Sequence, residues 1–301
     1  MSPNVFLVVL AAAALHAGWN TLLKLRARPS LAHPVDPMVS TLLLGIAACL
    51  IALLALPLTG LPAPASWPYA FASAVIHVAY YLLVGAAYRA ADLSAVYPIT
   101  RGTAPLGSAL LAAVFLGEAL SPVAWSGIAA ICAGVVGMAA SALRRGGLTP
   151  AGLGFAGANA VVVMLYTLVD GQGARLSGNP AGYTLFWEAM CGPMLVVPML
   201  LTLRGQATAG RAGALAAALA AALGEGRWWR ALLGAAMSIT AYGAALWAMT
   251  QAPIGTVAAL RETSVLLGVL LGALVLRERV GPARWAAASV IVAGAVLVRL
   301  A

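Results

Sequence analysis

Charge is scarce in this chain. Only 8% of its 301 residues are charged, with 8 acids against 17 basic residues, while 63% are hydrophobic. A mean hydropathy of +0.98 over this length leaves too little polar surface to coat a soluble domain, so a water-soluble fold is excluded. The formal charge of +9 would suit nucleic acid if the basic residues formed one face or tail. They fall instead between long apolar runs, which argues against nucleic acid as a partner and suits loops on the cytoplasmic side of a membrane. Cysteine is equally sparse: Cys49, Cys132 and Cys191 lie singly in apolar stretches without CxxC spacing. Neither a disulfide framework nor a zinc site is expected, and the three read as small core residues. HExxH, GxSxG and paired-Asp metal patterns are missing, which lowers the expectation of a metalloprotease, hydrolase or transferase; neither cofactor nor metal is expected. Gly152-Leu153-Gly154-Phe155-Ala156-Gly157 matches GxGxxG, but no strand precedes it. Its glycines are expected to ease helix packing, as at Gly268-xxx-Gly272.

Long apolar runs are abundant. A membrane-spanning helix needs about 20 mostly apolar residues. Ten segments qualify, near 5–24, 37–58, 67–88, 93–116, 121–143, 150–170, 180–203, 229–250, 254–276 and 281–300. The first has no basic residue before its apolar run and continues through Trp19 and Asn20 to Lys24, so it reads as a retained span rather than a signal peptide. Residues 204–228, Ala-rich and flanked by Arg204, Arg211, Arg227 and Arg230, read as an interfacial helix or loop.

Sliding the chain on itself by 160 residues aligns 95–138 with 255–298 without a gap. Arg101 falls on Arg261, Thr103 on Thr263, Glu118 on Glu278, Pro122 on Pro282, Trp125 on Trp285 and Gly134 on Gly294. Shared Ala and Leu would arise by chance in this composition; agreement of Arg, Glu, Pro and Trp at one register would not. The expected architecture is an all-α polytopic membrane protein with two five-helix repeats, residues 1–145 and 146–301. An odd number of spans per half inverts the second repeat relative to the first, as in many secondary transporters.

Several motifs resemble a known family. They are His16-Ala17-Gly18-Trp19-Asn20 with Lys24 in span 1, Tyr97-Pro98-Ile99-Thr100-Arg101-Gly102 with Pro105 in span 4, and Gly117-Glu118 leading through Pro122 and Trp125 to Gly134. The last pattern returns at Arg261, Glu278, Pro282, Trp285 and Gly294. Over nearly the whole chain this set resembles the EamA-like family of the drug/metabolite transporter superfamily. The resemblance implies an exporter or facilitator of small metabolites, often amino acids or related compounds, with a pocket enclosed by both halves and the lipid bilayer around it. A homodimer is left open.

Ionisable residues inside spans must face a partner, water or the bundle interior. Arg101 and Arg261 occupy equivalent positions roughly 12 Å into their spans at 1.5 Å per residue. Inverted symmetry would bring both to one central cavity, where a guanidinium suits a carboxylate or phosphate; pairing with a buried acid is the alternative. Glu188 and Glu262 are the nearby acids, expected either to pair with the arginines or to carry a coupling proton. Because Glu262 adjoins Arg261, that arginine is expected to be tied to an acid and Arg101 to be free for substrate. His77, Tyr81, Val84 and Tyr88 share a helical face in span 3, and His16, Trp19 and Asn20 lie side by side in span 1. Together with Tyr97 they complete the candidate substrate-binding set, with simple helix packing as the alternative reading for the aromatics. Tyr166, Asp170 and Arg175 are expected near an interface, shaping a gate or loop.

The function these features imply is an inner-membrane secondary transporter that moves a small polar or zwitterionic metabolite outward by alternating access. The alternative is a membrane-embedded enzyme acting on lipid, although such an enzyme would cluster its ionisable residues at one interface. Thirteen of the 17 Lys and Arg residues fall on the side of loops 1–2, 3–4, 5–6, 7–8 and 9–10, which places both termini in the periplasm. The family resemblance implies the opposite orientation.

Overall fold

A computed structural model describes residues 1–26, 37–90, 93–143, 149–204, 228–275 and 281–301. The described residues form the helices α1 (Pro3–Arg26), α2 (Pro37–Thr59), α3 (Trp67–Ala90), α4 (Leu93–Leu116), α5 (Pro122–Leu143), α6 (Pro150–Leu176), α7 (Pro180–Arg204), α8 (Trp228–Gln251), α9 (Ile254–Arg261), α10 (Thr263–Val275) and α11 (Pro282–Leu300). Each expected span coincides with helix, but the ninth is broken between Arg261 and Thr263. Six stretches are long and apolar enough to cross a membrane within the described residues alone. The Ala-rich region expected at 204–228 lies almost wholly outside them.

The helix boundaries follow from local chemistry. Proline is the first residue of α1, α2, α5, α6, α7 and α11, where its fixed φ suits a helix start and its missing N–H costs no bond. Thr149 Oγ1 accepts from Gly152 N at 3.0 Å, Ser121 Oγ from Ala124 N at 3.1 Å and Asn179 Oδ1 from Gly182 N at 3.0 Å, satisfying otherwise orphaned amides. Gly60, Gly117 and Gly178 follow α2, α4 and α6 with φ of +78°, +68° and +62°, a conformation that stops a helix cheaply only at glycine.

Packing buries many small residues between the helices beside large ones such as Ile128, Ile131, Leu195 and Leu246, while other large apolar residues face outward. Leu54, Leu58, Val114 and Phe115 are exposed, whereas Ala74, Ala109, Ala112, Ala245 and Ala248 are buried. With lipid as the outer solvent, close approach of backbones at small residues adds to the packing of the apolar core in holding the helices together.

Exchanging the two halves maps α1 onto α6, α2 onto α7, α3 onto α8, α4 onto α9 with α10, and α5 onto α11. The packing obeys this exchange: α1 packs on α8 as α6 does on α3, α3 on α7 as α8 does on α2, and α2 on α7. The α5–α11 seam repeats it residue by residue. A Cβ on Gly134 would lie 2.6 Å from Ile291 and 2.9 Å from the Ala287 carbonyl, and one on Gly294 would lie 2.8 Å from Ile131 and 2.7 Å from the Gly127 carbonyl. Shifting Gly134, Ala287 and Ile291 by the 160-residue register yields Gly294, Gly127 and Ile131, so the two contacts are copies of each other.

Candidate functional site

The break between α9 and α10 brings the central charges together. Arg261 ends α9, and Glu262 immediately precedes α10, whose Val265 N donates to the Glu262 carbonyl at 3.0 Å. The positive end of the α10 dipole favours a carboxylate there, while the last turn of α9 favours a cation. Neither preference sets the partners, because those come from across the repeat boundary. Arg101 of α4 reaches Glu262, Nη1 to Oε1, at 3.4 Å, with both side chains buried. Arg101 Nη2 also lies 3.1 Å from His16 Nε2, and Trp19 Nε1 donates to His16 Nδ1 at 3.2 Å. A neutral imidazole has one acceptor nitrogen, so His16 can accept from Trp19 or from Arg101 but not from both.

This corrects the expected division of labour between the arginines. Arg101 is ion-paired to Glu262. Arg261 shows no ion pair among the described residues, and its guanidinium carbon instead lies 4.9 Å from the centroid of the Tyr242 ring. Glu262 neighbours Arg261 in sequence, but successive helical residues point about 100° apart, so adjacency does not make a pair.

Beside Arg261 two tyrosines converge on one carboxylate. Tyr242 Oη donates to Asp170 Oδ2 at 2.6 Å, and Tyr183 Oη donates to Asp170 Oδ1 at 3.0 Å. Asp170 is fully buried and Tyr166 nearly so, both inside the helix packing rather than in a loop. Helix α6 runs on to Leu176, so Asp170 lies six residues, about 9 Å, inside its end. His77 fills the slot between Tyr166 and Trp187, with ring centroids 4.4 and 4.0 Å away, while Tyr80 and Tyr242 meet it edge-on. Its Nδ1 lies 3.0 Å from the Ser73 carbonyl and 3.1 Å from the Ser73 hydroxyl, so Ser73 anchors the ring from one turn away.

The remaining sequence-derived residues divide. Tyr81 is buried but turned toward Gly45 of α2, and Tyr80 takes the place beside His77 that the four-residue spacing assigned to Tyr81. Glu188 follows Trp187 in α7, is 5% exposed and leaves Oε2 without a hydrogen-bond partner among the described residues. The side chains of Asn20, Tyr97, Lys24, Tyr88 and Glu278 lie outside the described residues. Sequence reasoning missed Tyr80, Trp187, Tyr183 and Tyr242. Of these, only Trp187, next to an intramembrane acid, carried a local signal.

Arg175 belongs to a separate constellation at the end of the bundle where both termini lie, since Arg299 Nη1 donates to the Met1 carbonyl at 2.8 Å. There Arg175 Nη2 pairs with Glu118 Oε1 at 2.5 Å and Nε donates to the Met249 carbonyl at 2.8 Å. The Glu118 oxygens accept from Ile254 N at 3.0 and 2.9 Å. At the same end Asn179 Nδ2 donates to the Thr59 carbonyl at 2.8 Å and Ala63 N to the Ser177 carbonyl at 2.9 Å.

Comparison with known proteins agrees with this architecture. The profile of the EamA-like transporter family matches residues 4–140 and again 152–300. No curated protein matches the sequence. The fold is similar to that of a solved structure titled only "Crystal structure of protein", with a TM-score of 0.73 at 17% identity, over 100% of this chain and 98% of that one. At that identity the likeness speaks to the fold alone. The two profile matches together span most of the sequence, and the chain belongs to the EamA-like transporter family of the drug/metabolite transporter superfamily, as a multi-pass membrane transporter.

Proposed function

We propose that this chain is an inner-membrane secondary transporter that exports a small polar or zwitterionic, amino-acid-like metabolite by alternating access. The observation that carries the reading is Arg261. It is a buried cation at the end of α9, held over an aromatic face, and no carboxylate among the described residues lies within ion-pair distance of it. A buried guanidinium without a direct carboxylate partner is costly, and an arriving substrate carboxylate would supply that partner through the planar guanidinium fork. Tyr242, Tyr166, Trp187 and His77 supply a wall for the less polar part of the ligand, while Arg101, itself against His16, holds Glu262 alongside. Reciprocal packing of the halves supports ten spans in two inverted repeats, residues 1–145 and 146–301, and the charge asymmetry supports periplasmic termini.

Proton coupling has a structural motive as well. Buried within the described bundle are Arg101 and Arg261 against Asp170, Glu188 and Glu262, one carboxyl more than the arginines can balance. Glu262 is matched to Arg101 and Asp170 has two tyrosine donors, which makes Glu188 the better proton carrier of the two acids named from the sequence. Flux assays in proteoliposomes across a panel of amino acids and related metabolites test the reading. Arg261→Lys should keep the fold but raise the substrate KM about tenfold or more through loss of the fork. Arg101→Lys should affect stability more than KM. An Arg261→Lys protein with parental KM sinks the assignment.

A further inference from the structure

Helix α9 is held at both ends by the first half of the chain. It is eight residues long, about 12 Å, and every residue from Ile254 to Arg261 is buried. Its far end carries Arg261, followed by Glu262 paired with Arg101. At its near end, Ile254 is seated against Gly171 of α6, Gly255 abuts Ala109 of α4, and both oxygens of Glu118 face the Ile254 amide. Arg175 completes the corner by pairing with Glu118 and donating to the Met249 and Ala252 carbonyls, the latter at 3.2 Å. The carboxylate thus meets the positive end of α9 and the guanidinium the negative end of α8, each complementing a helix dipole.

We propose that Glu118 and Arg175 are positioning residues of the transport cycle, a latch that closes the face bearing both termini and fixes the register of α9. The argument rests on the alternating-access reading above. Since α9 is short and pinned at both ends, release of Glu262 from Arg101 is transmitted along it to Ile254, and loosening of the Glu118 latch is transmitted back to Arg261. Arg175 is the group best placed to yield, being 29% exposed against 8% for Glu118. Water reaching Arg175 lowers the cost of breaking the pair on that face.

The test places a cysteine behind the latch. Thr256 is buried one turn into α9, so Thr256→Cys should react slowly with a membrane-impermeant maleimide in the parent. Sealed vesicles of both orientations, sided by protease access to a C-terminal tag, are labelled, and modification at position 256 is read by mass spectrometry so that the buried native cysteines can stay. Glu118→Ala and Arg175→Ala should raise labelling from the terminus-bearing face at least tenfold and leave the opposite face unchanged. Glu118→Gln, which keeps an acceptor for Ile254 but loses the charge, should lie between and serves if the alanine variant does not fold. A smaller rise, or an equal rise from both faces as in general loosening, overturns the proposal. The measurement needs no substrate, so a latch that behaves as expected alongside a transport panel without hits separates failure of the transport reading from failure of this one.

Discussion

Replacing Glu262 with Gln removes the counter-charge of Arg101 while keeping side-chain shape. At 3.4 Å and an effective dielectric constant near 20, the pair's Coulomb attraction is about 5 kcal/mol. Desolvation of both ions offsets much of this, so the pair adds little net stability over an apolar replacement, but breaking it on one side leaves a buried cation and costs ~3–5 kcal/mol. His16, 3.1 Å from Nη2, can accept one bond there by giving up the one from Trp19, so the expected loss is at the lower end of that range, about 3 kcal/mol. In a thermal scan of purified protein in detergent that corresponds to a fall of roughly 10 °C. Arg101→Met should cost less, because an unpaired carboxyl can take a proton whereas a guanidinium cannot shed one. The double variant should recover most of the loss, giving a double-mutant coupling of ~2–3 kcal/mol. A Glu262→Gln protein within ~1 kcal/mol of the parent, or a double variant that loses the sum of the singles, would refute the view that these two residues neutralise each other across the repeat boundary.

Three further outcomes are expected. Glu188→Gln should abolish accumulation driven by a proton gradient while leaving substrate exchange measurable, and normal accumulation would return Glu188 to a structural role. Gly294→Val drives a branched side chain against the Gly127 carbonyl, so it should lower stability by ~1–3 kcal/mol, with Gly134→Val matching it through the reciprocal contact; unequal losses in the thermal scan would speak against the copied seam. A C-terminal reporter that works only in the cytoplasm should stay silent, and strong activity would reverse the orientation drawn from the basic loops.

What the sequence determines by itself is whatever depends on local composition and spacing. Apolar runs mark the helices because lipid demands about 20 such residues per crossing, prolines mark their first turns, and the Arg, Glu, Pro and Trp matches reveal the duplication. What only the tertiary structure decides is which side chains meet. Arg101 and Glu262 are 161 residues apart, and which arginine takes the carboxylate depends on the rotation of α9 about its axis at a break that hydropathy does not register, since Arg261 and Glu262 lie within an otherwise apolar run. Asp170 looks like the end of a span because a charge in an apolar run suggests an interface. Its burial becomes tolerable only when tyrosines from α7 and α8 bring two hydroxyl donors to it, and no spacing within α6 announces them. The slot around His77 is assembled from α3, α6, α7 and α8, so its walls exist only once those four helices are packed.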